Sequence, residues 1–292
     1  MKKQIIISIA ALLMAGAAQL SAQGIVVYKT DGTKVYFPAE QVEKVATYDY
    51  GEEPEPEPGP GGEGTTTYTA NGVSFTMVGV EGGTFQMGST DGDSDEMPVH
   101  QVSVSSFSIG QTEVTQELWE AVMGTNPSYF KGLKLPVERV SWNDCQTFIT
   151  KLNQLTGKTF RLPTEAEWEF AARGGNSSKG YTYAGSNTID VVAWYTFNSS
   201  DKTHEVATKQ ANELGIYDMS GNVCEWCEDI YAPYQAAPQT NPRGAAEGGY
   251  HLARGGGWNR GPHMCKVTDR GNYRPEYASN AVGLRLVMDG ES

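Results

Sequence analysis

Histidine is scarce in this sequence, which has 4 histidines among 292 residues. They are scattered rather than arranged in a metal-binding HExxH pattern: His100, His204, His251 and His263. The sequence also lacks a GxSxG motif. Its one run of three glycines, Gly255–Gly257, has neither the lysine nor the following helix of a phosphate-binding loop. These absences give no support for a zinc protease, a serine hydrolase or a nucleotide-binding enzyme.

Basic residues are outnumbered by acidic ones, and the formal net charge is therefore −13. Nucleic-acid-binding proteins need a basic footprint, so we expect no nucleic acid partner. The same charge disfavours anionic membrane surfaces. An acidic protein of this kind can, however, attract calcium.

Apolar runs are short, and the longest near the N-terminus is Ile5–Ala18. It follows Lys2 and Lys3, and the stretch Leu20-Ser21-Ala22 after it ends in small residues. We therefore predict a signal peptide over residues 1–22 and export to the periplasm, the cell surface or the medium. A buried N-terminal helix is the alternative. We expect no transmembrane segment after cleavage of the signal.

Cysteine is as scarce as histidine, and the 4 residues are Cys145, Cys224, Cys227 and Cys265. Outside the cytoplasm they can pair in three full connectivities. The Cys224-x-x-Cys227 spacing also suits a metal or redox site, but there is no second CxxC and no thioredoxin-like context. We expect structural thiols or a disulfide.

The chain divides into modules by composition. Residues 23–50 predict a small β-hairpin module around the turn Asp31-Gly32. Residues 51–67 predict a linker, since glutamate, proline and glycine dominate and nothing apolar can be buried. Residues 68–292 form the main domain. The acidic stretch Asp91–Glu96 resembles part of an EF-hand loop without its ligand register, so we expect a solvated loop.

The sequence of the main domain predicts short strands and three helices that begin at capping residues. The strand-like runs are Val73–Val80, Gly83–Met87, Val102–Ile109 and a closing strand Gly283–Val287. The helix starts are Thr115, Ser141 with Asp144, and Thr164 with Glu167, and the stops are Gly124, Gly157 and Gly174. No alternating βα pattern is present, so the fold class is α+β with much irregular chain.

The stretch Asn212–Trp226 reads as strand, tight turn and strand. Asp218 and Glu225 flank the turn, and a bent loop with two carboxylates and inward carbonyls suits calcium. A turn with two solvated acids is the plain alternative. In another, Glu225 pairs with a basic side chain such as Arg254 or Arg285.

Three motifs together resemble the sulfatase-modifying-factor family, which includes the formylglycine-generating enzymes. They are Arg161–Glu169 (RLPTEAEWE), Asn212–Trp226 (NELGIYDMSGNVCEW) and Arg254–Trp258 (RGGGW). The resemblance runs from about Gly72 to Met288. It implies a loop-rich, C-type-lectin-like formylglycine-generating-enzyme fold of the α+β class, with few helices and short antiparallel strands.

The resemblance implies one calcium site, with ligands at Asp218, Gly221, Val223 and Glu225. Gly221 and Val223 would bind through their carbonyls. The family's other calcium site is in doubt, because Val192 and Ala193 occupy the positions that align with its start.

The copper(I) site of the formylglycine-generating members implies a pair of cysteines five positions apart after Gly-Gly-Ser. Here Cys265 stands at the second position and Arg260 at the first, with Gly257 at the serine and Gly261 where a histidine is common. Since copper(I) needs a pair of soft thiolates, copper is doubtful and Cys265 is a doubtful catalytic residue. Family members that oxidise thiols with iron carry a His-rich helical domain, which this sequence lacks.

The loop-like segment Asn259–Asn280 is rich in side chains that recognise ligands, and we predict a binding surface there. Its residues are Arg260, His263, Asn272, Tyr273, Arg274 and Tyr277. An ordinary polar loop before the closing strand is the alternative. We expect a binding or scaffold protein with a protein or glycan ligand in the envelope or outside the cell. The alternative is a formylglycine-generating oxidase acting on a sulfatase cysteine, or another oxidoreductase of the family.

Overall fold

A computed structural model describes residues 64–290 throughout, together with the backbone of five short strands nearer the N-terminus. The predicted cleavage point after Ala22, the turn Asp31-Gly32 and most of the linker over residues 51–67 lie outside the described residues. The chain divides into two compact units, Met1–Glu57 and Pro58–Ser292. The signal peptide and the domain bounds stay predictions.

The first unit has strands β1 (Ile5–Ser8), β2 (Ala18–Ser21), β3 (Gly24–Tyr28), β4 (Lys34–Pro38) and β5 (Val42–Ala46). β3 and β4 cover the two arms of the predicted hairpin, and they pair antiparallel with Tyr28 opposite Lys34. β2 pairs antiparallel with β3, and β1 pairs parallel with β5.

The second unit, hereafter the main unit, is built of short strands and a few helices. Its strands are β6 (Thr65–Ala70), β7 (Val73–Val80), β8 (Gly83–Met87), β9 (His100–Val104), β10 (Phe107–Gly110), β11 (Phe160–Arg161), β12 (Cys224–Ile230), β13 (Gln239–Thr240), β14 (His251–Arg254), β15 (Gly271–Tyr273), β16 (Val282–Leu284) and β17 (Val287–Asp289). Its α-helices are α1 (Gln116–Met123), α2 (Trp142–Thr156), α3 (Glu165–Ala172) and α4 (Ile189–Val192). Among the described residues, no helix is long and apolar enough to cross a membrane.

The strands of the main unit form three sheets. The five-stranded sheet has the order β11-β17-β10-β7-β6, the four-stranded sheet β15-β14-β12-β16, and the three-stranded sheet β13-β9-β8. Neighbours are antiparallel except for β12 with β16 and β13 with β9. This mostly antiparallel, loop-rich arrangement agrees with the predicted α+β class.

The three predicted helix starts are confirmed. Thr115 Oγ1 accepts a hydrogen bond from the N–H of Leu118, and capping boxes begin α2 and α3 at Ser141 and Thr164. Such caps satisfy N–H groups that the first turn leaves without partners. Because the caps are local, they could be predicted from sequence alone.

Two predicted strands are each divided between sheets. The run Val102–Ile109 contains β9 and β10, which belong to different sheets. The predicted closing strand Gly283–Val287 is likewise divided between β16 and β17. Arg285 lies in this second break, and its side chain is fully buried. The break therefore lets an arginine enter the interior from between two sheets.

Two further predictions are wrong. The first half of Asn212–Trp226 is a loop, because the Asn212 side-chain oxygen accepts hydrogen bonds from the N–H groups of Leu214 and Ile216 and curls the chain. The acidic stretch Asp91–Glu96 is not simply solvated, because Glu96 is only 2 % exposed. Both departures bury a polar side chain, Asn212 in the first case and Glu96 in the second.

Candidate functional site

Within the described part of the main unit, three buried arginine–carboxylate ion pairs are joined by hydrogen bonds: Arg254–Glu169, Arg270–Glu165 and Arg285–Glu225. The Arg254–Glu169 pair links two motifs of the family resemblance, and Glu225 of the remaining motif also accepts a hydrogen bond from Trp168. Removing one partner of such a pair leaves a buried charge uncompensated and costs about 3–5 kcal/mol. The motifs therefore specify the scaffold first.

Glu225 is held from two sides. Its Oε1 accepts a hydrogen bond from Arg285 Nη2 at 2.6 Å, and its Oε2 accepts one from Arg285 Nε at 2.9 Å. Trp168 Nε1 donates to Oε2 at 2.7 Å. Arg285 also donates to the backbone oxygens of Gly110 and Tyr217, each at 2.8 Å. This is one of the two ion pairs that the sequence left open as alternatives to calcium.

Two more buried carboxylates lie at the same turn. Asp218 Oδ2 accepts a hydrogen bond from the N–H of Ala207 at 2.7 Å, and burial raises the pKa of Asp218 to about 6. Glu113 Oε1 accepts one from the N–H of Val223 at 2.9 Å. Burial, and then its two acidic neighbours, raise the pKa of Glu113 well above its ordinary value. The positive charge of Arg285 therefore acts on three buried acids, Glu225, Asp218 and Glu113.

The four predicted calcium ligands do lie around one buried turn: Asp218, Gly221, Val223 and Glu225. An ionised carboxylate has about four lone-pair positions, and those of Glu225 already receive Arg285 and Trp168. As arranged, Glu225 is therefore not free to bind calcium. Calcium at this turn stays a prediction that competes with the Arg285 pair.

Val192 and Ala193, which put the second calcium site in doubt, are buried in a small apolar cluster with Tyr195 and Cys265. Their side chains offer no oxygen to a cation. The cluster includes Cys265, which the resemblance aligns with the second copper cysteine.

Arg260, which the resemblance aligns with a copper cysteine, lies among aromatic rings. Its Nη2 donates a hydrogen bond to the hydroxyl of Tyr273 at 3.1 Å. The Tyr273 ring stacks on Tyr277 with centroids 4.6 Å apart, and it meets the buried Trp226 edge-on at 5.9 Å. The guanidinium and both tyrosines are therefore fixed against the four-stranded sheet.

Two more aromatic residues border Arg260. The N–H of Thr196 donates to the backbone oxygen of Arg260 at 3.1 Å, and the next residue, Phe197, is 77 % exposed. Trp258 lies two residues before Arg260, and its indole donates to the Asn280 oxygen at 2.8 Å. We call the surface formed by Phe197, Trp258, Arg260, Tyr273 and Tyr277 the Arg260 face.

The rest of the predicted binding surface lies at its edges. Arg274 is exposed, and its guanidinium lies 5.4 Å from the ring centre of Tyr250. Asn272 is exposed on β15, and His263 is exposed on the short turn Pro262–Cys265. The structure thus brings Arg260, Tyr273 and Tyr277 into contact, whereas the other three side chains stand apart from them.

All four cysteines are buried free thiols. Burial raises the pKa of Cys224 and of Cys265 to about 12 each, and it raises the pKa of Cys227 well above the ordinary value. Cys224 and Cys227 pack into different apolar cores, on either side of β12. Copper(I) is best held by paired thiolates, whereas the aligned positions offer a buried neutral thiol and a guanidinium. The residues present do not fit the family's copper site.

A separate cleft of about 510 Å³ opens beside β12. Its wall includes Glu165, Asp229, Tyr234 and Arg270. Asp229 accepts a hydrogen bond from the N–H of Glu165 at 3.0 Å, and burial, followed by the charge of Glu165, raises the pKa of Asp229 to about 8. This carboxyl therefore holds a proton at neutral pH in the folded protein.

Sequence reasoning missed part of the Arg260 face. Phe197 comes from a segment with no recognisable motif, and the exposed Tyr129 reaches Trp258 only through Phe130. No sequence signal marks these residues, because tertiary packing alone brings their loops together.

Comparisons with known proteins agree with this arrangement. The sulfatase-modifying factor enzyme 1-like domain matches residues 66–290. Chaperone protein LppX of Paenibacillus barcinonensis is 36% identical over 265 residues, covering 74% of this chain and 90% of that protein. Inactive C-alpha-formylglycine-generating enzyme 2 of Bos taurus is 30% identical over 286 residues, covering 74% and 88%. The solved structure of Treponema denticola variable protein 1 has a TM-score of 0.73 at 36% identity, covering 77% and 99%. The fold expected from the resemblance is confirmed.

Proposed function

Because this chain belongs to the sulfatase-modifying factor enzyme 1-like domain family, we propose that it is an exported binding or scaffold member that recognises a protein through the Arg260 face. The proposal is supported by the fixed, partly exposed aromatic rings around Arg260, which the resemblance aligns with a copper cysteine. Arginine, tyrosine and tryptophan are the side chains most enriched at binding hot spots.

The rigidity of the Arg260 face supports this role. Tyr273 is positioned by Arg260, Tyr277 and the buried Trp226, so its ring is already ordered before a partner arrives. Ordering a side chain on binding costs about 0.5–1.5 kcal/mol. Rings that are ordered in advance avoid that loss.

The relatives' names also support a role in binding. One is named a chaperone protein, and one is named an inactive member of the formylglycine-generating group. Both labels fit a scaffold whose surface has taken over from catalysis.

The alternative is a formylglycine-generating oxidase or another oxidoreductase of the family. It would require Cys265 to act as a thiolate, whereas burial raises the pKa of Cys265 to about 12. A thiol with that pKa is a poor nucleophile and a poor metal ligand at neutral pH.

The test is capture of a partner by the purified full-length protein from native envelope and culture fractions. We expect one protein to be enriched by the wild type and lost with either Phe197→Ser or Arg260→Ala. Leu155→Ser serves as the matched control, since Leu155 is also an exposed apolar residue, 47 % accessible, but lies on α2. Hydrogen exchange of the isolated complex should protect the loops of the Arg260 face.

Equal capture by wild type and both face variants would contradict the proposal. Binding to a glycan that the face variants lose would keep the surface but replace the protein partner by a carbohydrate.

A further inference from the structure

The acidic stretch Asp91–Glu96 is anchored by Glu96, although four of its six residues are acidic. Residues Ser94–Glu96 form a single 3-10 turn. The N–H of Asp93 donates to Glu96 Oε1 at 3.1 Å, and the Glu96 backbone oxygen accepts from Ser89 at 3.0 Å. The carboxylate of Glu96 is thereby directed inward, away from water.

In the interior, the carboxylate of Glu96 lies close to that of Asp269. Carboxylate oxygens of Asp93, Glu96 and Asp269 lie within 4.8 Å of one another, and among the described residues no other trio of possible metal-binding side chains is this compact. Calcium binds oxygens at about 2.3–2.6 Å, so two of its ligands lie at most about 5 Å apart. The spacing of the three oxygens therefore suits one calcium ion.

The second observation is a missing partner. Glu96 Oε2 is buried and has no hydrogen-bond partner among the described residues. Leaving a buried polar atom unpaired is costly, and for an ionised one the cost is larger. An oxygen of this kind at the centre of an acidic trio points to a cation.

Neighbouring basic groups do not supply the charge. Arg254 and Arg270 approach, but they donate to the backbone oxygens of Asp269 and Asp95, and their guanidinium groups pair with other glutamates. The pKa of Asp91 is lowered by its hydrogen bond to Ser89 and then by the charge of Lys266. The trio is thus short of positive charge.

We propose that Asp93, Glu96 and Asp269 bind a divalent cation of the calcium class. The ion would fasten the acidic loop to the segment that follows Cys265. This site is distinct from the turn at Asp218 and Glu225, where Arg285 already balances a carboxylate. Calcium suits it better than magnesium, which demands near-octahedral geometry and keeps its waters.

The test is titration calorimetry of the full-length protein, freed of metal by a chelator, with calcium chloride and separately with magnesium chloride. We expect one calcium site in the wild type. Asp269→Asn and Glu96→Gln should each weaken calcium binding by roughly tenfold or more, since each removes a charged ligand. Asp91→Asn is the matched control, because Asp91 belongs to the same loop but bonds to Ser89.

No calcium uptake by the wild type would overturn the proposal. So would uptake that Asp269→Asn leaves unchanged while Asp218→Asn abolishes it, since the ion would then lie at the other turn. Should the buried variants fail to fold, Asp93→Asn decides, because Asp93 is exposed and its substitution spares the core.

Discussion

Arg285 and Arg260 show two uses of the same side chain in one molecule. Arg285 is fully buried, and its donors go to Glu225 and to the backbone oxygens of Gly110 and Tyr217. Arg260 is half-buried, and within the described residues its one side-chain hydrogen bond goes to Tyr273. The first arginine is saturated by its own fold, whereas the second has donors left for a partner.

The difference separates the family motifs from the surface that we propose for binding. The motif residues Glu169, Glu225 and Arg254 belong to buried ion pairs that no ligand reaches. Arg260 lies just beyond the third motif, and its side chain takes no part in those pairs. Motif matching therefore identifies the scaffold and does not by itself assign the activity.

Breaking the Arg285 pair should give the largest effect on stability. We expect Glu225→Gln to lower the free energy of unfolding by about 3–5 kcal/mol, because it leaves a buried guanidinium uncompensated. Chemical denaturation measures this loss, and Glu167→Gln is the control, since Glu167 belongs to the partly exposed pair with Arg161.

The same experiment separates the ion pair from the predicted calcium turn. An ion pair predicts an equal loss for Glu225→Gln in chelator and in excess calcium. A loss confined to the calcium-containing samples would instead assign Glu225 to the metal.

Asp229 should give an intermediate effect that depends on pH. Its folded-state pKa of about 8 lies above the ordinary value of 3.8, so the folded protein binds this proton more tightly than the unfolded chain does. Its contribution to stability is therefore complete below about pH 4 and is lost as pH rises through 8. Asp229→Asn should raise the melting temperature at pH 9 and leave it nearly unchanged at pH 4.

Asp289 should show the opposite dependence of stability on pH. Arg161 lowers the pKa of Asp289, so the stability that it contributes is present above the unfolded pKa and is lost as the solution becomes more acidic. If Asp229→Asn shifted the melting temperature equally at every pH, the assignment of a buried proton to Asp229 would be wrong.

The Arg260 face should give the smallest effect on stability. Arg260→Ala and Phe197→Ser lie outside the buried cores, so we expect each to change the free energy of unfolding by less than about 0.5 kcal/mol. Denaturation curves measured beside those of Glu225→Gln test this directly. A loss comparable to that of Glu225→Gln would mean that the face serves the fold.

Structural features that depend on residues adjacent in the sequence could be predicted. The caps at Thr115, Ser141 and Thr164 are local hydrogen bonds and were recognised. The division of Val102–Ile109 between two sheets was not, because long-range pairing decides it. Nor could spacing alone show whether Glu225 meets a cation or an arginine.

The candidate sites were predicted to different extents for the same reason. Arg260, Tyr273 and Tyr277 lie within one segment, and its abundance of arginine and aromatic side chains predicted a binding surface there. Phe197 arrives from another loop. The acidic trio needed Asp269 to approach Glu96 across the sequence, and the burial of Glu96 could not be seen in a stretch so rich in charge.

The most direct test of the account is an anaerobic copper(I) titration of the purified protein, followed by incubation with oxygen and a Cys-x-Pro-x-Arg peptide. Since the resemblance aligns Arg260 with a copper cysteine and burial raises the pKa of Cys265 to about 12, we predict neither stoichiometric copper(I) uptake nor conversion of the peptide cysteine to formylglycine. Tight binding of one copper(I) together with peptide conversion would contradict the account and return the protein to the oxidases.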